Sequence, residues 1–548
     1  MILRKIVAIF ILLPWLFSCV NSKDNNSIKP PVINHADEFK KFFVINHAAV
    51  LQDDIYGEKI DSLQWLDSLY ADLHYKSIWI SDSITLNKLG KQLIAQLSES
   101  KKFGLDTRLY PVNLLLRLEN TLDTFPANTD KYMLAAKLDA LLSYNYMRHG
   151  KHLNYGLLDS ISPYTELSRR AFTINLPDYL HKAYKSDSLI VKLLALQPKH
   201  KEYHNIQLGL AQFLEKDNLS TNSVPVINFR EDSLKAVRQA RKALINHGYL
   251  TENDTDSMFI SALKKFQKSH GLHQDGLVGT NTAKALSLSP YEYYQQMVAN
   301  MERWRWRDPW KPNRLYVNIP EYILRIYKND SLVKKHFVVV GSRKNQTPEL
   351  LDSLAYIIAY PYWNVPKRIS VNEILKKARK DSTYMKRNKY EVLTKVKDFI
   401  DPDSINWKKV TRQNFDYRIR QRGGAVNALG YVKFIFPNKN AIYLHDTPSK
   451  SHFYHEKRAY SHGCVRVQDA LKLADYLLEE DENRFTIDTV NAYIKKRKEK
   501  WISMQHKMAI YFYYATIVAD EQGTVTFYDD VYDLNKPLIK ALSGIFAE

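Results

Sequence analysis

The sequence predicts an α+β protein of several domains, with a helical scaffold, a three-helix module and a mainly-β domain that carries a helical insertion. Three observations support this prediction. The chain has 548 residues, which is too long for a single hydrophobic core. Apolar residues recur at helical spacing through the N-terminal third of the chain. The alternation typical of strands begins only at Arg314.

The N-terminal segment has the features of an export signal. Arg4 and Lys5 precede an apolar run, Ile6 to Phe17, which is too short to span a bilayer but suits a signal peptide. The run ends at Ser18-Cys19 and resembles a bacterial lipobox, so we expect residues 1–19 to be a signal peptide and Cys19 to carry a lipid. Cleavage by an ordinary signal peptidase is the alternative. Polar residues 20–35 would then form a tether, and the protein would be exported to the periplasmic face of a bacterial envelope membrane.

The chain is strongly basic. A net charge of +20 and a pI near 9.4 favour a polyanionic neighbour, which is nucleic acid, anionic lipid or an acidic cell-wall polymer. Because the leader predicts export, nucleic acid is not expected as a partner.

Residues 36–215 have the pattern of a helical scaffold. Leu86, Leu89, Leu93 and Leu97 recur at three- and four-residue spacing, and a second periodic run is expected to end before Gly150. No chemical motif occurs in this region. A helical domain that binds a partner explains the pattern equally well.

Residues 231–290 predict a compact module of three helices. Its ordered turns are Gly248-Tyr249-Leu250, Phe266-Gln267, Gly271-Leu272 and Asp275-Gly276-Leu277, followed by Thr282. This order resembles the small peptidoglycan-binding module. An ordinary three-helix bundle explains the apolar spacing but not the glycine turns.

Residues 300–500 predict the mainly-β domain. Strand alternation appears around Leu315 to Ile326, with Asn329-Asp330 as a hairpin turn. The charged, helix-prone stretch 367–430 is expected to be a helical lid beside the site. Residues 501–548 are expected to complete this domain as a terminal hairpin from Ala509 to Tyr528 around Gly523 and a helix.

Cys464 is the candidate nucleophile. With Cys19 in the leader, it has no partner for a disulfide, and a lone thiol in an oxidising compartment is a liability unless it does chemistry. A cysteine reacts as thiolate, which a neighbouring imidazole favours, and His445 lies 19 residues upstream. The alternative is a small buried hydrophobe, which the polar setting of Ser461, His462 and Arg466 argues against.

Other chemistries fit less well. His462 is an alternative base, although its place before Gly463 suits loop positioning and substrate contact. Zinc could bind three of His445, His452, His455, His462 and Cys464, but solvated loop histidines are the simpler interpretation. Two Ser-x-x-Lys matches, at Ser98 and Ser331, have no Lys-Thr-Gly partner.

The motifs His445-Asp446-Thr447 and Ser461-His462-Gly463-Cys464-Val465-Arg466 resemble the signature of L,D-transpeptidases with a YkuD-type catalytic domain. Residues 418–438 and the domain order are similar to the large, multi-domain YcbB-like branch. Papain-like enzymes place the cysteine before the histidine, so they do not fit.

The resemblance implies a role for each site residue. Cys464 would be the nucleophile and His445 the general base, oriented by the carbonyl of Asp446. Ser461, His462 and Gly463 would form the loop that orients the site, with the N–H groups of Gly463 and Cys464 as oxyanion donors. Tyr443 and Arg466 would bind substrate, Arg466 either at a stem-peptide carboxylate or as a brace for the loop.

The expected function is an L,D-transpeptidase that forms 3→3 crosslinks in peptidoglycan through a Cys464 thioester, with peptidoglycan stem peptides and glycan as partners and no cofactor or metal. The alternatives are an L,D-carboxypeptidase, which uses water as the acceptor, and a non-catalytic peptidoglycan-binding lipoprotein.

Overall fold

A computed structural model describes residues 35–545, apart from residues 127, 163, 187, 217–218, 395 and 397. The predicted signal peptide 1–19, with Cys19, and residues 20–34 of the predicted tether lie outside the described residues. In the part of the chain that is described, each helix is too short or too polar to cross a bilayer.

The N-terminal region is helical, as the periodicity predicts. It consists of α1 (His35–Val50), a ribbon of β1 (Asp54–Ile55) and β2 (Glu58–Lys59), α2 (Leu63–Asp72), α3 (Lys88–Ser98), α4 (Val112–Thr124), α5 (Thr129–Tyr155), α6 (Leu176–Lys185), α7 (Leu189–Leu194) and α8 (Lys201–Glu215). Helix α5 is buried on nearly all sides and forms the centre of this core. The prediction that it ends before Gly150 is wrong. Gly150 lies inside α5, where the missing side chain lets Leu196 pack against the backbone, and the helix ends at Gly156.

The expected module of three helices comprises α9 (Ser233–Asn246), α10 (Asp256–Ser269) and α11 (Thr280–Leu286). The buried Gln267 explains its turn pattern. Its amide nitrogen donates to Asp275 Oδ1 at 2.8 Å and its amide oxygen accepts from the Gly276 N–H at 2.9 Å. Gly276 has φ +74°, a conformation that favours glycine. Helix α12 (Pro290–Arg305) then leads into the β domain.

The β domain begins with an antiparallel meander of three strands, β3 (Arg314–Asn318), β4 (Ile323–Lys328) and β5 (Ser331–Gly341). Two further strands, β6 (Leu350–Ser353) and β7 (Tyr356–Ala359), follow and pair with strands later in the chain. Asn329 and Asp330 both have positive φ and form the predicted hairpin turn between β4 and β5.

The segment expected to be a helical lid contains strands as well as helices. It comprises α13 (Lys367–Ile369), α14 (Leu375–Lys380), α15 (Tyr384–Arg387), β9 (Tyr390–Leu393), β10 (Phe399–Ile400) and β11 (Arg418–Gln421), and β8 (Trp363–Asn364), just before the segment, joins its strands. The strands pair in the order β10-β9-β11-β8 and share a small core with the helices, which includes Trp407 and Ile419. A purely helical insertion is therefore wrong, because short strands flanked by charged residues give no clear alternation in the sequence.

The chain then returns to the main sheet. The remaining elements of the domain are β12 (Val432–Ile435), β13 (Tyr443–His445), β14 (Ala459–Ser461), β15 (Val465–Val467), α16 (Ala470–Glu480), α17 (Ile487–Lys496), β16 (Lys500–Ser503) and β17 (Ala509–Tyr513). In the described residues the sheet order is β16-β7-β12-β13-β15-β5-β4-β3-β17-β6, with β14 paired to β5. One face of this sheet packs on α16 and α17.

The C-terminal segment connects the domains. A short hairpin of β18 (Ile517–Ala519) and β19 (Val525–Phe527) turns at Gly523, and α18 (Asn535–Ile545) follows. The hairpin is shorter than predicted, because Ala509–Tyr513 joins the main sheet between β3 and β6. Its turn packs on α8, where Gly209 approaches the Gly523 carbonyl.

Candidate active site

Four of the predicted site residues, namely Tyr443, His445, Cys464 and Arg466, lie on one face of the sheet at the neighbouring strands β13 and β15. In the ladders, Lys433 is paired with His445, Leu444 with Val465, and His445 with Arg466. Leu444 and Val465 are fully buried in the apolar core. Because side chains alternate along a strand, Lys433, Tyr443, His445, Cys464 and Arg466 point to the opposite face of the sheet. We call this face, with these five residues, the site face.

Cys464 is half-buried and immediately precedes β15. Its thiol donates to the backbone carbonyl of Ala441 at 3.8 Å. Burial raises the pKa of the Cys464 thiol, while the hydroxyl and backbone of Tyr443, on the adjacent strand, and the positive charge of Lys433 act to lower it. The thiol is therefore largely protonated at neutral pH, with groups in place that favour the thiolate once it forms.

His445 is 5% exposed and has a fixed orientation. Its Nδ1 lies 2.5 Å from the carbonyl oxygen of Asp446. Because a carbonyl can only accept, Nδ1 carries the proton and Nε2 is left as the basic nitrogen. Burial, with smaller contributions from Arg466 and Lys433, lowers the pKa of His445 to about 3. The imidazole is thus neutral and able to accept a proton throughout the physiological range.

Asp446 is held by its carboxylate. This group accepts hydrogen bonds from the Tyr431 N–H at 2.9 Å and from the Lys450 ammonium. The carboxylate also occupies the space that a side chain at position 430 would need, where the chain has Gly430. The contact to His445 is made by the backbone carbonyl, as the resemblance implies, and the buried carboxylate fixes that carbonyl in position.

The loop before Cys464 is built around Gly463. Its φ of +116° favours glycine, its carbonyl accepts from the Thr347 hydroxyl at 2.6 Å, and its N–H donates to Ser461 Oγ at 3.1 Å. Of the two N–H groups expected to stabilise an oxyanion, that of Gly463 is thus already occupied. The N–H of Cys464 forms no hydrogen bond to the residues that the structure describes.

Arg466 has no carboxylate partner among the described residues. Its Nη1 donates to His452 Nδ1 at 3.1 Å, and burial lowers its pKa. A half-buried guanidinium without a counter-ion suits an anionic group supplied by a ligand.

His462 lies away from the site face. It is exposed, and its Nε2 lies 2.6 Å from the Glu373 carboxylate, so it links the catalytic loop to the insertion. His452 contacts Arg466, and His455 lies beside Tyr460. Across the ranges described above, no group of three or more histidine, cysteine or acidic side chains is arranged to hold a metal ion.

Lys433 is the site residue that the sequence analysis did not single out. Its ammonium lies 3.7 Å from the centre of the Tyr443 ring and is close enough to Cys464 for each charge to shift the pKa of the other. A signal was present, because Lys433 is the one charged residue in the apolar run Tyr431 to Phe436. Lys433 lies near Tyr443 and Cys464 only because β12 pairs with β13, and this pairing cannot be predicted from the sequence.

Comparisons with known proteins agree with this geometry. Residues 312–490 match the L,D-transpeptidase catalytic domain, residues 64–210 match the scaffold domain, and residues 233–286 match the "Putative peptidoglycan binding domain". A curated relative from Haemophilus influenzae, named "Putative L,D-transpeptidase", is 33% identical over 244 residues. The match covers 44% of this chain and 49% of the relative, so the chain spans about half the length of that protein.

The predicted resemblance is confirmed at the level of domains: the chain carries a YkuD-type L,D-transpeptidase catalytic domain together with a peptidoglycan-binding domain and a helical scaffold domain.

Proposed function

We propose that the protein is an L,D-transpeptidase that crosslinks peptidoglycan through a thioester on Cys464. The observation that carries the proposal is the site face itself. A thiol, a neutral imidazole with its Nε2 free to accept a proton, and a guanidinium without a counter-ion lie on adjacent strands above one apolar core.

In the first half-reaction, Cys464 would attack the carbonyl at the L-centre of the third stem residue, a diamino acid. The thiol proton passes to Nε2 of His445 as the C–S bond forms. The peptide C–N bond then breaks, and the same proton leaves with the amine of the terminal D-alanine. The neutral resting state of His445 suits this transfer, because the base is available without prior deprotonation.

The negative charge that develops on the carbonyl oxygen needs donors. The unpaired N–H of Cys464 is the available backbone donor, and Ser461 holds the N–H of Gly463 in the resting state. Loss of one oxyanion donor typically costs on the order of a hundredfold in rate.

In the second half-reaction, the side-chain amine of a neighbouring stem would attack the thioester, which gives a 3→3 crosslink and regenerates the thiol. Water competes for the same intermediate, so the insertion that contacts His462 through Glu373 would serve to shield the thioester. Arg466 would bind a stem carboxylate, and the basic surface would favour an acidic polymer.

Analysis of muropeptides after incubation with the purified protein tests the proposal. We expect 3→3 dimers and free D-alanine, and neither product with Cys464→Ala. Trimmed stems without dimers would indicate a carboxypeptidase. No change in the muropeptides, with a wild-type Cys464 that alkylates at the rate of free cysteine, would favour a wall-binding protein without catalysis.

We further propose export and a lipid anchor at Cys19, on the basis of the leader sequence. Fractionation of cells that express the full chain tests this. Wild type should be recovered with membranes, and Cys19→Ala should be recovered in the soluble fraction or remain unprocessed. Equal membrane recovery of both forms would overturn the anchor.

A further inference from the structure

A cavity of about 690 Å³ lies where the peptidoglycan-binding module, the β domain and the C-terminal segment meet. The module contributes residues 270–273 and part of α11, the β domain contributes residues 320–323 and Phe337, and the C-terminal segment contributes residues 527–530. Neither Cys464 nor His445 lines it. Its volume is in the range of pockets that hold small ligands.

The walls combine aromatic surfaces with polar groups. The aromatic side chains come from α12, the β domain and the C-terminal segment and include Tyr293, Tyr322, Phe337 and Phe527. Flat apolar rings of this kind can pack against the C–H face of a pyranose ring, whose hydroxyl groups then point to the polar parts of the wall.

Three residues that line the cavity each have a buried polar atom without a partner among the described residues: the Tyr322 hydroxyl, Nε2 of His270 and Nε of Arg458. Tyr322 is 6% exposed and His270 is 7% exposed. A buried polar group without a hydrogen bond costs about 1–3 kcal/mol, so such groups usually meet a ligand or water. Carboxylates of the same wall are already engaged, Glu321 with Arg325 and Glu456 with Asn281.

The cavity and the site face are joined by strand β5. Val339 is paired with Arg466, and Phe337 lies two residues earlier on the same side of the strand. Strands β15 and β5 are antiparallel, and Cys464 lies two residues before Arg466, on the side of Val339 away from Phe337. Phe337 and Cys464 are therefore four strand positions apart along the strand direction, which is about 13 Å. An extended peptide of four residues covers about this distance.

We propose that this cavity binds an amino-sugar unit of the glycan strand whose stem peptide reaches Cys464. The inference rests on the proposed function, because it names where the glycan of that substrate is held. The module and the β domain would then recognise the sugar together, and the cavity would set how far the stem must extend.

Calorimetric titration of the full chain with the peptide-free disaccharide repeat of peptidoglycan tests the inference. We expect the disaccharide to bind wild type, Tyr322→Phe to weaken binding about threefold to tenfold through the lost hydroxyl, and Ile323→Trp to weaken it at least tenfold by filling the cavity. Tyr327→Phe, at the other end of β4 and outside the cavity, is the matched control and should bind like wild type.

The two proposals fail differently. Absence of disaccharide binding at millimolar concentration, or binding that Tyr322→Phe and Ile323→Trp leave unchanged, would overturn the cavity as the sugar site. Acylation of Cys464 by a free tetrapeptide is measured on the same proteins and should be equal in all of them. Absence of acylation in wild type would overturn the proposed function instead.

Discussion

The two faces of strands β12, β13 and β15 differ sharply in what they contain. On the core face, Phe434, Leu444 and Val465 are fully buried in one apolar cluster. On the site face, the same strands present Lys433, His445 and Cys464, each with burial that shifts its pKa toward the neutral form. We therefore propose that adjacent residues have separate roles, stability on one face and chemistry on the other, and single substitutions can test the division.

The largest expected effect is on turnover, from Cys464→Ala. Removing a nucleophile typically costs about 10⁴-fold or more, while a small, half-buried side chain adds little to the core. We therefore expect no measurable crosslinking and a thermal midpoint within about 2 °C of wild type. Crosslinking at the wild-type rate would remove Cys464 from the mechanism.

Substitutions at two adjacent positions of β13, His445 and Leu444, test the site face and the core face separately. His445→Gln should lower kcat by about 10²–10⁴-fold by removing the general base, with the fold retained. Leu444→Ala should lower the free energy of unfolding by about 2–5 kcal/mol because it leaves a cavity in the core. Urea titration and steady-state kinetics on both variants check this. Similar stability losses at both positions would contradict the division.

Lys433→Met tests whether the charge of Lys433 acts on the Cys464 thiol. The ammonium of Lys433 lowers the pKa of the Cys464 thiol, so its loss should raise that pKa and slow alkylation by iodoacetamide at pH 8 about threefold to tenfold. Lys433→Arg keeps the charge and is the control. An unchanged alkylation profile in Lys433→Met would show that the charge does not act on the sulfur.

A buried histidine outside the site gives the smallest effect. In the scaffold, burial lowers the pKa of His149 to about 3, far below its ordinary value of 6.5. The unfolded chain then binds a proton that the folded chain does not, so stability is full above pH 6.5 and falls as the pH drops toward 3. Between pH 7 and 5.5 this histidine should cost about 1 kcal/mol.

In His149→Phe, the free energy of unfolding should fall by about 1 kcal/mol less between pH 7 and pH 5.5 than in wild type, as measured by urea unfolding at the two pH values. An identical pH dependence in the variant would contradict the assignment. Burial, with a smaller contribution from Arg305, keeps His149 neutral, whereas His445 has in addition an oriented ring, through its contact with Asp446.

Much of this arrangement follows from local sequence. The motifs at His445 and Cys464 predict the candidate site residues, and the glycine turns predict the module, because both depend on neighbours within a few residues. The role of Lys433 was missed because it depends on the pairing of β12 with β13. The strands of the insertion were missed because their alternation is too short, and the extent of α5 because the sequence does not show that Leu196 packs where a side chain at Gly150 would lie.

Intact-protein mass spectrometry after brief mixing with a tetrapeptide donor tests the central claim most directly. The account predicts an adduct on Cys464 with the mass of the donor minus D-alanine, lost on addition of an amine acceptor and absent from Cys464→Ala. Release of D-alanine at the full rate without any adduct, and equally in Cys464→Ala, would contradict it.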